Sequence, residues 1–190
     1  NDRIATNGVE LTVYQAGDPA NPTVVLSHGF PELAHSWRHQ VLPLAEAGYQ
    51  AQCFGQKTYN GVAILSRQAP RDVQLGIPGF EDEQKRAIAA TIGDLRIVNL
   101  YVVNGHSVGS EKYDYKLRWL QAVTDWIAQE RARYPELVVL GDFNIAPDDR
   151  DVHDPLVWNE DSILTSTAER AALNKLLALG LHDSFRLHND

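Results

Sequence analysis

Methionine is absent from all 190 positions, including the first. A chain that starts Asn1-Asp2 is therefore expected to be a fragment, a processed product or a constructed sequence. Cysteine is almost absent as well. Cys53 stands alone, so no internal disulfide can form, and a reducing, cytoplasmic setting is the expectation. Cys53 sits in an apolar stretch and reads as a small core residue rather than a nucleophile. No apolar run approaches the ~18–20 residues of a membrane span, and no signal peptide is visible. Basic residues are outnumbered, 17 Lys and Arg against 25 Asp and Glu, a net charge of −8. Indiscriminate coating of nucleic acid relies on many cationic phosphate contacts and is excluded, although a local basic groove is not. Internal repeats, low-complexity tracts and flexible linkers are missing too.

What is present reads as one domain's worth of chain, with an ordinary 44% hydrophobic content. Residues 9–14 alternate apolar and polar and predict a strand, and Val24–Ser27 predicts a buried one. Ser36–Ala47 reads as a helix closed by Gly48. Tyr49–Phe54 and Gly61–Ser66 are further strands, and Arg71–Gly79 is loop-like. Ala87–Ile92 and Leu95–Val102 pair across a Gly93-Asp94 turn. Asp114–Arg133 is the clearest helix: Leu117, Leu120, Val123 and Ile127 line one side, and Trp119 and Trp126 widen the stripe as packing residues. Thr124 falls within that stripe and needs a partner for its hydroxyl. Val138–Leu140 is the next strand, and Ser166 with Glu169 forms a capping box ahead of Leu173, Leu176, Leu177 and Leu179.

The run from Val138 to Arg150 carries the most chemistry. A short buried strand stops at Gly141, and Asp142 and Asn144 follow two apart. On an extended backbone that spacing points both side chains to one side. A carboxylate beside a carboxamide suits a hydrated hard cation and a phosphate oxygen. A plain turn after a strand would use the same residues.

The neighbouring motifs lie in a specific order. Tyr59-Asn60-Gly61 runs into Val62–Arg67, with Gln56-Lys57 before it. Arg96-Ile97-Val98-Asn99-Leu100-Tyr101 is followed by Asn104-Gly105 and Lys112-Tyr113-Asp114-Tyr115-Lys116. Pro147, Asp148, Asp151, His153, Asp154 and Trp158 come after Asp142. Glu169-Arg170-Ala171-Ala172-Leu173 then leads to Gly180-Leu181-His182-Asp183-Ser184-Phe185-Arg186. From about Gly48 to Arg186 this set resembles bacterial exonuclease III, of the endonuclease/exonuclease/phosphatase superfamily of DNA repair enzymes.

The first fifty residues fit a different pattern. Asn7-Gly8-Val9-Glu10-Leu11, Thr23–Leu26 and Ser27-His28-Gly29-Phe30-Pro31-Glu32 resemble an α/β-hydrolase of the epoxide hydrolase type. Ser36-Trp37-Arg38 and Leu42–Tyr49 continue that resemblance. Together the two resemblances imply a chimera, with an α/β-hydrolase-like segment at 1–50 and the central part of an exonuclease III-like domain at 51–190. The implied fold class is α+β: a truncated DNase I-like four-layer α/β sandwich carrying a grafted β-β-α segment. In one arrangement Val24–Ser27 replaces the family's first strand and Ser36–Ala47 its helix, which would bring His28 near the site.

The exonuclease III resemblance implies Mg²⁺-assisted (or Mn²⁺-assisted) attack of water on a phosphodiester of double-stranded DNA, abasic sites included, by a monomeric enzyme. It places Tyr101, Asp142 and Asn144 at active-site positions, with Asp142 and Asn144 as weak metal ligands. Asp142 would orient or deprotonate the water, Asn144 would hold the phosphate, and Tyr101 would stabilise its developing charge. The family's Gln-Glu-Thr-Lys-like metal-binding glutamate and terminal Ser-Asp-His motif are not in these residues. The expected activity is therefore impaired. Two alternatives remain. Gly105-His106-Ser107-Val108-Gly109 matches a nucleophile elbow, which Asp142 and His182 would complete as an ester or epoxide hydrolase triad. The other alternative is an inactive chimera. His153, His182 and His188 read as surface or loop residues.

Overall fold

The computed structural model of the chain describes residues 2–6, 9–13, 47–56 and 60–188. The expectations for Val24–Ser27, for the helix at 36–46 and for His28 lie outside the described residues. The described chain divides into two compact units. One takes residues up to Gly76, Asp82–Leu100 and Val138–Leu140; the other takes Ile77–Glu81, Tyr101–Leu137 and the residues from Gly141 on.

The first unit is built of strands. β1 (Asp2–Thr6) pairs antiparallel with β2 (Val9–Val13), with Asp2 opposite Val13. The alternation of residues 9–14 anticipated β2; β1 was not anticipated, although Asn7-Gly8 is a strong hairpin signal. β3 (Gln50–Gly55) and β4 (Gly61–Ser66) form a second antiparallel pair, Gln50 facing Ser66. On β4 every second residue, Val62, Ile64 and Ser66, is buried, as a period-two strand requires. A four-stranded sheet follows in the order β5 (Arg71–Leu75), β6 (Ala87–Ile92), β7 (Leu95–Tyr101) and β8 (Leu137–Asp142). β6 is buried from Ala87 to Thr91 on both faces, which explains its unbroken small and apolar run. β7 buries Arg96, Val98 and Leu100. The Arg96 guanidinium is satisfied by the carbonyl of Asp72 at 2.7 Å and by Thr91 Oγ1 at 3.3 Å. Asn99 Nδ2 donates to Ala63 O at 2.8 Å and so ties β7 to β4.

Two expectations are corrected here. Arg71–Leu75 is an edge strand rather than a loop. Its register on β6 shifts between Arg71 and Gln74, Asp72 has a φ of 49°, and none of its five residues is buried. A bulge on an exposed edge erases the alternation by which a strand is recognised. β8 is longer than Val138–Leu140 and ends on Asp142 itself, so the carboxylate belongs to the strand end rather than to the residue beyond it.

The second unit is dominated by two helices packed on each other, α1 (Glu111–Arg133) and α2 (Thr167–Leu177). α1 starts three residues before the expected Asp114, because Ser110 caps it: its Oγ accepts from Tyr113 N at 3.2 Å. Tyr113, Lys116, Trp119, Leu120, Val123, Trp126, Ile127 and Glu130 form the buried stripe at helical spacing. Leu117 was expected in that stripe and is only half-buried; Tyr113 and Lys116 take the first turns instead. Trp119 and Trp126 are core residues, as expected, and Thr124 Oγ1 finds the Leu120 carbonyl at 2.9 Å. The Ser166–Glu169 capping box is present and opens α2, which buries Leu173 and Leu176.

Candidate active site

The second unit contains Tyr101, Asp142 and Asn144, and its hydrogen bonds show how the last two are joined. Tyr101 ends β7, and Asp142 ends β8. Val102 N donates to Asp142 O at 2.8 Å, so the backbone leaving β7 runs beside the end of β8. Asn144 then turns back. Its φ of 47° lies in the left-handed region, where an asparagine is tolerated far better than a branched residue. Asp142 and Asn144 therefore do not share one side of an extended strand, as their spacing suggested. They meet through a tight turn, in which Asn144 N donates to Asp142 Oδ1 at 3.0 Å and Asn144 Nδ2 donates to Asp142 Oδ2 at 3.0 Å. The other amide proton of Asn144 goes to Val102 O at 3.0 Å. A carboxamide has two N–H donors, and both are engaged. Asn144 thus grips the Asp142 carboxylate, which stays exposed, with lone pairs free of Asn144.

The turn is held from behind by a buried ion pair that sequence reasoning missed. Lys116 Nζ, on α1, donates to Asn144 O at 2.7 Å and to Asn104 O at 3.2 Å. Its counterion is Glu169, on the first turn of α2, and both side chains have 0% exposure. The second oxygen of Glu169 accepts from Ser166 Oγ at 2.6 Å, and Ser166 Oγ meets the Tyr113 hydroxyl at 2.7 Å. Burial pushes the Lys116 ammonium below the usual lysine range, while the hydrogen bond and charge of Glu169, and then the charge of Asp142, pull it back up. Packing around the pair is close: a Cβ on Gly105, whose φ is 97°, would stand 3.1 Å from Lys116 Cδ and 2.8 Å from Ile163 Cδ1. One sequence signal for this pair existed, a lysine at the i+3 position of a stripe that starts at Tyr113. A charge inside an apolar stripe demands a buried partner.

Asp142 and Asn144 open onto a cleft of about 580 Å³ whose walls include Asp151, His153, Trp158 and Leu164. Two carboxylates line it, and no lysine or arginine does. Asp151 belongs to a one-turn 3₁₀ helix, Asp149–Asp151, that Asp148 caps. Arg186 donates to Asp151 Oδ1 at 2.5 Å, and Arg170 donates to Asp149 Oδ1 at 2.9 Å. Hydrogen bonds from the Arg150 side chain and backbone hold the Asp148 carboxyl down at about 2, from an ordinary 3.8. A carboxyl depressed by folding stabilises the fold above its unfolded value and loses that contribution as pH falls from 3.8 towards about 2. Arg150→Ala removes the side-chain bond, the larger cause, and keeps the backbone one, so the Asp148 carboxyl is expected to rise part of the way to its ordinary value in a carbon-detected NMR titration. A titration unchanged by the substitution would show that other groups hold it.

The remaining sequence candidates fall apart from this cluster. Ser107 is exposed in a stretch of short turns between Tyr101, where β7 ends, and Glu111, where α1 begins. The positive φ in that stretch that falls on a residue other than glycine belongs to His106, at 64°, and not to Ser107. A nucleophile elbow needs strand, sharp turn and helix in direct succession, and this loop does not supply them. His182 and His188 are exposed, as expected. His153 is exposed too, but it lines the cleft. Among the described residues no group of three or more His, Cys, Asp or Glu is arranged to hold a metal ion. No described helix is long and apolar enough to cross a membrane.

The sequence matches the endonuclease/exonuclease/phosphatase family over residues 9–182, and the chain belongs to that family. It is 33% identical over 155 residues to exodeoxyribonuclease III of Haemophilus influenzae, covering 75% of this chain and 57% of that protein. Among solved structures it resembles the 3′-5′ exonuclease NExo of Neisseria meningitidis, with 46% identity and a TM-score of 0.74 over 76% of this chain and 57% of that one. It also resembles an AP endonuclease of Archaeoglobus fulgidus, with 34% identity and a TM-score of 0.71 over 76% of this chain and 56% of that one. The α+β fold is the one these structures share. A stretch of 58 residues is 55% identical to epoxide hydrolase A of Mycobacterium tuberculosis, covering 30% of this chain and 18% of that protein. The chain therefore spans little more than half the length of the exodeoxyribonuclease III it matches, and under a fifth of the epoxide hydrolase.

Proposed function

We propose that this chain is a metal-dependent phosphodiesterase of the exonuclease III type, acting on double-stranded DNA and on abasic sites within it. The observation that carries the reading is the gripped but exposed Asp142 carboxylate, in a cleft lined by two acids and no lysine or arginine. Asp151 is already neutralised by Arg186, so the exposed Asp142 carboxylate is the lining acid that would repel an entering phosphate unless a cation accompanies it. The donor set fits a hard cation: Asp142 offers free carboxylate lone pairs, and Asn144 Oδ1 has only a 3.5 Å contact from Asn104 Nδ2. Asp142 and Asn144 would hold Mg²⁺ or Mn²⁺, which would neutralise charge on the phosphoryl oxygens.

The chain's own groups would do the rest. Asp142 orients the attacking water and takes its proton as the water oxygen bonds to phosphorus; the ester P–O bond opposite breaks, and the sugar oxygen leaves with its electron pair and takes a proton from solvent. Asn144 keeps the carboxylate in one orientation; to hold a phosphate oxygen as well, it must exchange its bond to Val102 O or to Asp142. Tyr101, which the family resemblance puts at the phosphate, ends β7 outside the cleft lining and would have to reach in to donate from its hydroxyl as charge builds. These 190 residues contain neither the Gln-Glu-Thr-Lys-like glutamate nor the Ser-Asp-His motif. Acid–base help from such a histidine is typically worth about 10²–10⁴-fold, and the glutamate would add a metal ligand, so turnover by this polypeptide alone is expected to be slow.

The short epoxide hydrolase match supports reading residues 1–50 as an α/β-hydrolase-like segment joined to an exonuclease III-like part at 51–190. The family match from residue 9 overlaps that segment. Labelling of Ser107 by a fluorophosphonate probe would favour hydrolase chemistry; the local geometry predicts none. Titration calorimetry tests the metal site. Weak Mg²⁺ binding that disappears in Asp142→Ala is expected, and tight binding that survives this substitution would refute the reading.

A further inference from the structure

We infer that the part of the cleft beside Trp158 is a nucleobase subsite. In this assignment the planar base of a nucleotide stacks on the Trp158 indole while its phosphate lies at Asp142 and Asn144. The inference rests on the phosphodiesterase reading and adds the part of the substrate that Trp158 would recognise.

Trp158 differs from the other tryptophans of the second unit. Trp119 and Trp126 are 1% and 2% exposed and serve the core, whereas Trp158 is 38% exposed and lines the cleft. The open part of the indole gives the cleft an aromatic wall on which a flat ring can stack. The backbone that carries the indole is also tied down rather than trailing as a loose loop. Asp154 accepts from Val157 N at 3.1 Å and Trp158 N at 2.9 Å through its carbonyl, and from Leu156 N at 3.0 Å through its side chain. Ser162 Oγ donates to Val157 O at 3.1 Å, and Thr165 Oγ1 donates to Asn159 O at 2.7 Å. The segment is then joined to the loop that carries Asn144, because Ala146 N donates to Leu164 O at 2.8 Å. Leu164 has a φ of 74°, which a leucine adopts only when its surroundings impose it. Two positive-φ residues that are not glycine, Asn144 and Leu164, thus face one cleft.

The chemistry of the walls selects the ligand. One set of wall residues is acidic and suits a cation-bound phosphate; the other is aromatic and apolar and suits a flat, uncharged ring. With no lysine or arginine in the lining, and His153 as its remaining basic side chain, stacking on Trp158 is the contact that would recognise the ring. A volume of about 580 Å³ accommodates a mononucleotide and falls within the usual range of small-molecule sites. Stacking of this kind is tolerant of base identity, because every base offers a π face.

The test compares two ligands in Mg²⁺: deoxythymidine 5′-monophosphate, and 2-deoxyribose 5-phosphate, which lacks the base. NMR titration of the intact chain reads both affinities, together with the Trp158 indole N–H. The nucleotide is expected to bind about 5- to 100-fold more tightly. The indole signal should move with the nucleotide and not with the sugar phosphate. Trp158→Ala should erase the difference, and Trp158→Phe should keep most of it. Equal affinities in the wild-type chain, or a preference that survives Trp158→Ala, would overturn the subsite and leave the phosphodiesterase reading standing. Failure of both ligands to bind, or phosphate binding indifferent to Asp142→Ala, would overturn that reading and the subsite with it.

Discussion

Asp142→Asn is expected to lower Mg²⁺-dependent cleavage of abasic DNA by about 10³-fold or more. The substitution preserves shape but removes the charge that would attract a cation and the base that would take a proton from water. It also disturbs the turn. Asn144 offers two donors to this side chain, its backbone N–H at Oδ1 and its Nδ2 at Oδ2, each at 3.0 Å. A carboxamide at position 142 can accept only one of them without setting two N–H groups against each other. The catalytic loss should thus come with a small loss of stability, and single-turnover cleavage beside urea denaturation separates the two. A rate within tenfold of wild type would remove Asp142 from the chemistry.

Lys116→Met is expected to cost about 3–5 kcal/mol of folding stability, measured by urea denaturation. The substitution leaves the Glu169 carboxylate buried without its counterion and frees the Asn104 and Asn144 carbonyls. Glu169→Gln should cost less. The lysine that it leaves alone is already pushed by burial towards its neutral form, and the carboxamide oxygen still accepts from Ser166. The double variant Lys116→Met with Glu169→Gln should recover part of the loss, because no buried charge then lacks a partner. A Lys116→Met chain within 1 kcal/mol of wild type would mean that the pair contributes little, in conflict with its complete burial.

The parts of the fold legible in the sequence are those that local signals determine. The Gly93-Asp94 turn announced the β6–β7 hairpin, the tryptophan and leucine spacing announced α1, and Ser166 with Glu169 announced the start of α2. β5 was hidden, because its bulge and exposed edge break the period of two. At the site, the pairing of Asp142 with Asn144 was legible, but the way they meet was not. An extended spacing predicts side chains pointing the same way, whereas the φ of Asn144 turns the chain back so that its backbone and side chain both grip Asp142. Lys116 and Glu169 were visible only as a motif lysine and a capping glutamate. Their pairing joins residues 53 positions apart, and no local pattern specifies a contact of that range. Trp158 was readable as a motif residue, but its sharing a cleft with Asp142 is a tertiary arrangement that no local pattern specifies.

The most direct test of the central claim is single-turnover cleavage of a duplex carrying one abasic site, with the chain in excess, in Mg²⁺ and in EDTA. The account predicts slow strand cleavage in Mg²⁺ and none in EDTA. Cleavage that proceeds equally in EDTA, or no cleavage in Mg²⁺ at any enzyme excess, would contradict it.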